Sequence, residues 1–334
     1  MKLIAVTRIR NEDDIVEAFV RHHAELVDHH IVLDNGSNDR TREILSALRG
    51  EGVGISIHTS EAAVSAEAVQ NTLLLHRAVG LGADWVVFLD CDEFIDPRLL
   101  DGSLHRVLES LPEQAPCAHT QAINYQPTTL DDRDELIVPL KHRWRDSNFA
   151  DFVKVFVRAR AAGAGAIVGA GNHDAYLNGT PLPAYRDRRL LIAHYYMRSG
   201  WQILAKAFVG MMKFYASGEE ITRQNHGIHY AHIFENLRDH PEWLLDDRAF
   251  LEGARPVGFY PDTLLDDPID YIGGDLRYTS ASDPKLKAIR SVAACAEMIS
   301  RGHGLLADAT EVTRRLVDDW GREFSPLAGL PRAD

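Results

Sequence analysis

Residues 85–94 read Trp-Val-Val-Phe-Leu-Asp-Cys-Asp-Glu-Phe, an apolar run that ends in three carboxylates, Asp90, Asp92 and Glu93. Ionised carboxylates this close repel one another, and an unpaired buried charge is costly, so the pattern demands a positive partner. A divalent cation with oxygen ligands is the partner such a group serves. If the extended backbone persists, Asp90 and Asp92 project to one side and Cys91 to the other. An arbitrary Asp-X-Asp is more often a solvated acidic turn. What favours a cation site here is the strand that precedes it.

That strand has to be placed by its neighbours. Val86 to Leu89 is a near-continuous apolar run, the pattern of a central parallel strand covered on both faces. Upstream, Leu3 to Ile9 reads as a strand, and Asn11-Glu12-Asp13-Asp14 opens a helix carrying Ile15, Phe19 and Leu26. His30 to Leu33 is a second strand, followed by a cluster of turn formers, Asp34 to Asp39, and a helix that turns Thr41, Ile44, Leu45 and Leu48 inward. Gly54 to His58 and a helix around 66–79 complete the order βαβαβαβ. Such alternation predicts an α/β fold with a parallel sheet and helices on both faces. Ligands of open α/β sheets bind beyond the carboxyl ends of the strands, where Asp90 and Asp92 fall.

After residue 100 the rhythm changes. Ala118 to Tyr125, Phe152 to Arg158 and Leu190 to Tyr196 read as strands, and Trp201 to Tyr215 as an amphipathic helix. The polar loop from Thr128 to Ser147 is long enough to suggest function, and Gly163 to Gly171 reads as flexible. Prolines 241, 256, 261, 268 and 284 predict irregular structure, followed by helices near 284–302 and 307–322.

Hydrophobic residues at 45% and charged residues at 25% describe a folded globular chain. A net charge of −13 gives no general attraction to nucleic acid or to an anionic membrane, so any anionic substrate has to be handled locally, by a cation or by arginines. Cys91, Cys117 and Cys295 lack metal-site spacing and read as reduced packing residues. Thr7, Arg8 and Arg10 stop the N-terminal apolar run short of a signal-peptide core, and no stretch is long enough to span a bilayer. The expectation is a cytoplasmic protein, with peripheral contact at the inner face of a membrane left open.

Three stretches together resemble the glycosyltransferase family 2-like group with the GT-A fold: Arg10-Asn11-Glu12, the run Leu33 through Thr41, and Trp85 through Phe94. His194-Tyr195-Tyr196-Met197-Arg198-Ser199, followed by Lys206, is similar to the family's His-Tyr segment, so the resemblance covers about residues 1–210. It implies a GT-A catalytic domain over 1–215, with a nucleotide-binding half about 1–100 and an acceptor half about 101–215. Residues 216–334 would be a mainly helical or irregular extension packed on it. The implied activity is transfer of a sugar from a nucleotide-diphosphate sugar, a UDP-sugar favoured, to an acceptor hydroxyl with inversion. The acceptor would be a glycan, a lipid-linked or a small molecule in polysaccharide or other glycoconjugate synthesis.

Residue roles follow from the same resemblance. Asp92 would bind Mn²⁺ or Mg²⁺ directly, Asp90 would reach the donor ribose or the metal's water shell, and His194 would be a third metal ligand. Asp34 would meet the base, Arg8, Arg10, Asn11 and Glu12 would frame the nucleotide pocket, and Asn71 would add a contact. Lys206 would bind phosphate as a point charge. Inversion requires a base for the acceptor hydroxyl. Glu93 and His173, the latter beside Asp174, are the two candidates, and Glu93 has the alternative of bracing the motif by accepting backbone hydrogen bonds. Gly200-Trp201-Gln202 departs from the acidic residue expected after Arg198-Ser199. His226, His229 and His232 fit a surface or acceptor cleft better than a metal site, because Gly227 weakens the helix that would align them.

Two rival readings remain. Haloacid dehalogenase-type phosphatases also place Asp-X-Asp after an apolar strand, but near the chain start and with Thr or Val where Phe94 stands. A non-catalytic nucleotide-sugar-binding module would keep the fold without the chemistry. The intact Asp34, Asp90 and Asp92 argue against degeneration.

Overall fold

The computed structural model describes residues 1–60, 67–216, 228–244 and 263–306. Its first half is the predicted alternation: β1 (Leu3–Ile9), α1 (Val16–Ala24), β2 (His29–Asp34), α2 (Thr41–Gly50), β3 (Ile55–Thr59), α3 (Glu67–Gly80) and β4 (Trp85–Phe88). The four strands pair in parallel in the order β3-β2-β1-β4, with Val6 opposite Phe88 and Ile9 opposite Asp34. All of β4 is buried, as its apolar run requires. In α2 the residues Thr41, Ile44, Leu45 and Leu48 face inward, as the i, i+3, i+4, i+7 spacing dictates. One core lies under α1 and α2, a second under α3.

The helix expected to open at Asn11 starts later, at Val16. Asn11 takes a left-handed φ of 57°, and the Glu12 carbonyl accepts the amides of Ile15 and Val16 at 3.0 and 2.8 Å. Residues 11–15 are therefore a turn that carries acidic side chains across the edge of the sheet.

The second half adds β5 (Glu93–Ile95), α4 (Leu104–Glu109), β6 (Cys117–Gln126), α5 (Val138–Lys141), β7 (Trp144–Asp146), β8 (Val155–Arg158), α6 (Ala159–Gly163), β9 (Ile167–Val168), β10 (Ala175–Leu177), β11 (Thr180–Pro181) and β12 (Ala184–His194). β8 joins β4 antiparallel and β6 joins β8 antiparallel, so the parallel half continues into a mixed sheet. β12 runs parallel to β6 and antiparallel to β5. The loop expected over 128–147 holds α5 and β7, and the segment expected to be flexible over 163–171 holds β9, which pairs with β10.

Three helices follow: α7 (Gly200–Ala216), α8 (Ile228–Asp239) and α9 (Pro284–Leu306), with β13 (Leu264–Asp266) against β7. α7 packs on both α8 and α9. The helix expected near 307–322, Pro256 and Pro261, and His226 lie outside the described residues, as does the side chain of His229. Among the described residues no helix is long and apolar enough to cross a membrane.

Candidate active site

The acid tip is a turn between two strands. The Leu89 amide still bonds the Val6 carbonyl at 3.1 Å, but the Glu93 amide then reaches back to the Asp90 carbonyl at 3.0 Å and the chain reverses into β5. Extended geometry ends before Asp90, so the expected projection of Asp90 and Asp92 to one side gives way to separate sets of partners. β5 lies against β12 with Glu93 opposite His194, and the Tyr195 amide bonds the Asp92 carbonyl at 2.7 Å. This pairing brings the His-Tyr segment to the tip from a hundred residues away.

Asp90 faces Lys154. The ammonium lies 2.5 Å from Asp90 Oδ2 and 3.2 Å from Glu93 Oε1, and donates to the Gly171 carbonyl at 2.8 Å. Asn172 donates to Asp90 Oδ1 at 3.3 Å. The Lys154 side chain is 3% exposed. Burial opposes its charge, but Asp90 and Glu93 hold its pKa well above the ordinary lysine value. Gly171 has a φ of 73°, and a Cβ there would stand 2.5 Å from His173 Nε2, so no side chain fits.

Glu93 is 1% exposed and spends both oxygens inside the protein. Oε2 accepts the Asp90 amide at 2.9 Å while Oε1 faces Lys154. Burial, with Asp90 and Asp92 adding to it against Lys154, raises its pKa to about 8.

Asp92, also 1% exposed, meets Lys206 of α7 in a short ion pair, with His194 Nε2 3.8 Å and Arg198 Nη1 4.0 Å away. Burial would raise its pKa; Lys206, His194 and Arg198 overcome that and hold it well below the usual carboxylate range. His194 Nδ1 is 3.0 Å from Asn124 Oδ1, which fixes Nδ1 as the donor and turns the Nε2 lone pair towards Asp92. Burial pushes the imidazole pKa down to about 4, so the ring is neutral at pH 7.

A metal fits part of the predicted donor set. Two ligands on one small divalent ion at about 2.0–2.1 Å can stand up to about 4 Å apart, and Asp92 and His194 satisfy this. An imidazole fixed through its other nitrogen is how metal-bound histidines are oriented. Asp90 does not join them, and among the described residues no three His, Cys, Asp or Glu side chains are placed to share an ion.

The residues expected to meet the nucleotide lie at the ends of β1 and β2. Asp34 is fully buried, in a short ion pair with Arg42 and accepting the Ser37 amide at 3.2 Å. Glu12 pairs with Arg198 at 2.5 Å, and Arg198 Nε reaches Asp14 at 2.7 Å. Asn11 donates to Ser291 of α9 at 2.7 Å. Lys287 of α9 lies 2.5 Å from Asp13, 2.8 Å from Asp14 and 3.5 Å from Asp39. The loops after β1 and β2 are thus tied to the last described helix.

The model for Glycosyl transferase family 2 matches residues 5–159, from within β1 to just past β8, including the acid tip. That segment, less than half of the chain, is similar to glycosyltransferase family 2. The chain's mixed sheet, parallel over β3-β2-β1-β4 and continued by antiparallel β8, with helices on both faces, is an α/β architecture. Among solved structures it is similar to TarS 1–349 of S. aureus, at 12% identity, covering 72% of each chain with a TM-score of 0.34. It is also similar to the mannosyltransferase PcManGT of Pyrobaculum calidifontis, at 12% identity over 93% of this chain and 82% of that one, TM-score 0.39. A third is glucosyl-3-phosphoglycerate synthase of Mycobacterium tuberculosis, at 19% identity over 48% of this chain and 57% of that one, TM-score 0.29. No curated protein sequence matches it.

The predicted residues separate into those that meet at the acid tip and those that brace it. Asp90, Asp92, His194 and Lys206 meet at the tip, and Arg8 and Glu12 flank it. Asn71 is 1% exposed and donates to the Gly169 carbonyl at 2.8 Å, which places it as a brace between α3 and the loop after β9. His173 donates from Nδ1 to the Val153 carbonyl at 2.6 Å, while Asp174 lies 3.1 Å from His119 instead. Lys154, Arg198 and Lys287 carry the site's charge balance without having been singled out. Lys154 had a signal: it is the one charged residue in the run Phe152-Val-Lys-Val-Phe-Val, and a lysine buried in a strand must be paired.

Proposed function

We propose that this glycosyltransferase uses a nucleotide-diphosphate sugar, a UDP-sugar first among them, with Mn²⁺ or Mg²⁺ held by Asp92 and His194. It transfers the sugar to a hydroxyl with inversion, in polysaccharide or other glycoconjugate synthesis. The observation that carries this reading is the Asp92–His194 pair, fixed by Asn124 at the carboxyl edge of a family 2 domain. Asp90 contributes through the ion's water shell or the donor ribose, since Lys154 and Asn172 hold its carboxylate. Bound there, the cation would neutralise the diphosphate and stabilise the leaving nucleoside diphosphate.

The other roles follow from the protein's own contacts. Lys206, paired to Asp92, would meet phosphate as a point charge. Asp34 and the Asn11–Glu12 turn mark the nucleoside end. Glu93, closed off on both oxygens, braces the turn. His173 is then the remaining candidate for the base; burial holds its pKa below the ordinary value, so the ring is neutral at pH 7.

The test is calorimetric titration of UDP and GDP with and without Mn²⁺, on the wild type and on Asp92→Asn, together with transfer from UDP-, GDP- and dTDP-sugars. Metal-dependent binding that disappears in Asp92→Asn supports the site. Binding that is equal in the two proteins sinks the metal assignment, and binding without turnover of any donor favours the non-catalytic module.

A further inference from the structure

Three neighbouring strands set His194, Asn124 and Asp146 in one row across the sheet. β12 pairs with β6 in the register that puts His194 opposite Asn124. On the other side of β6, β7 runs antiparallel with Tyr125 opposite Arg145 and Gln126 opposite Trp144. The same register carried one step further places Asn124 opposite Asp146, and residues in such a row share a face of the sheet. Their side chains bond in sequence. His194 Nδ1 lies 3.0 Å from Asn124 Oδ1, and Asn124 Nδ2 donates to Asp146 Oδ2 at 3.4 Å. Asp146 is 8% exposed, and its Oδ1 takes a second donor, Gln126 Nε2, at 3.0 Å.

The order in this row is imposed from the carboxylate. A carboxylate accepts hydrogen bonds and has none to give, so both amides turn their nitrogens to Asp146. Gln126 shows the strength of that demand. Its Oε1 is buried with no donor among the described residues, yet its nitrogen still faces Asp146. For Asn124 the same demand leaves Oδ1 on the His194 side, where it takes the Nδ1 proton and turns the Nε2 lone pair towards Asp92, 3.8 Å away. Asp92 by itself would favour the opposite tautomer, because a carboxylate attracts an N–H on Nε2. An amide has two ends of equal size, so its partners decide which way it points. Here the deciding partner stands two strands from the ring.

We propose that Asp146 is a positioning residue: through the Asn124 amide it sets the tautomer of His194 and so presents Nε2 without a proton beside Asp92. The inference rests on the metal reading for its purpose, since an imidazole nitrogen binds a cation only when it is unprotonated. The polar stretch 128–147, long enough to suggest function, carries Asp146 back to the sheet in β7.

The tautomer is read directly in two-bond proton–nitrogen spectra of isotope-labelled, metal-free full chain at pH 7, with His194 assigned by its loss in His194→Gln. The wild type shows Nδ1–H. Asp146→Leu frees Asn124 to rotate and shifts His194 to Nε2–H, and calorimetric titration shows Mn²⁺ bound about ten- to a hundredfold more weakly. Asp146→Asn, gentler on the fold and with one acceptor oxygen left for two amides, gives a mixture of the two forms. Asn124→Asp added to Asp146→Leu restores tautomer and affinity together, because a carboxylate at 124 accepts from Nδ1 in either rotation. Nε2–H in the wild type overturns the proposal whether or not any variant folds. So does Nδ1–H alone in a thermally intact Asp146 variant, or a loss in Asp146→Leu that Asn124→Asp does not restore, which would make Asp146 merely structural. A tautomer that follows Asp146 in a protein whose wild type binds no Mn²⁺ leaves the relay standing and removes the metal reading.

Discussion

Acid should loosen the tie between the N-terminal half and the C-terminal strap through His22. The ring is fully buried on α1, bonded through Nε2 to the Ile95 carbonyl at 2.8 Å, with the Ile272 amide 3.4 Å from Nδ1. It packs edge-on to Phe94 at 5.3 Å and stacks on Tyr271 at 5.7 Å. Nε2 is therefore the donor and Nδ1 the acceptor, a role that ends on protonation. Burial pushes the His22 pKa down to about 4 from 6.5, against smaller upward contributions from Ile95 and Asp96.

The sign is fixed by linkage. Between pH 6.5 and 4 the unfolded chain binds a proton at this position that the folded chain refuses, so stability is present above pH 6.5 and is lost as pH falls towards 4. At about 1.4 kcal/mol per pKa unit the full loss is about 3 kcal/mol, of which about 2 kcal/mol falls between pH 7 and pH 5. Other groups titrate in this range: burial depresses His30 to about 3, whereas Glu93 is raised and acts in the opposite direction. A difference measurement removes them. His22→Gln keeps a donor for the Ile95 carbonyl and cannot titrate. Urea unfolding at pH 7, 6 and 5 should show the gap in stability between wild type and His22→Gln shifting by about 2 kcal/mol in favour of the variant as pH falls. A gap constant to within about 0.5 kcal/mol would refute a buried neutral His22.

Two further outcomes check the bracing roles. Glu93→Gln keeps an acceptor for the Asp90 amide, so steady-state kinetics should show kcat reduced by less than about tenfold; a drop of about 10²–10⁴ would make Glu93 the base after all. Lys287→Ala leaves Asp13, Asp14 and Asp39 facing one another, and chemical denaturation should show a loss of about 2–3 kcal/mol, with a change below about 0.5 kcal/mol counting against α9 as a clasp on these loops.

The parts legible in the sequence were those whose burial is one-dimensional. β1, β2 and β4 are buried on both faces, so they read as apolar runs wherever they lie, and α2 showed its inward face by spacing alone. β12 was half legible: Leu190 to Ala193 are buried, but Ala184 to Arg189 are largely polar and none is buried, and only pairing with β6 makes them strand. β7 and β13 are three residues each, drawn together from positions 144–146 and 264–266, and no local pattern announces such a pair. At the site, the carboxylates declared that a positive charge was needed but not which one. Lys154 and Lys206 answer from 64 and 114 residues away, and Lys287 from 274. Local sequence carries propensity and periodicity, whereas the choice of ion-pair partner is made by the topology of the sheet.

That choice gives the proposed function its electrostatic basis, since a chain of net charge −13 has to receive the diphosphate of the proposed donor. Asp90, Asp92 and Glu93 are offset by Lys154, Lys206 and Arg198, while Glu12 and Asp14 share Arg198 and Lys287. Without these pairings the acid tip would repel a phosphate before it reached any ligand. With them the carboxylate potential is cancelled at short range. Ion pairs this buried are poor sources of stability, because desolvation offsets most of their attraction. In the proposed function their use is electrostatic: they screen the acid tip from the incoming anion while keeping its oxygens available for exchange.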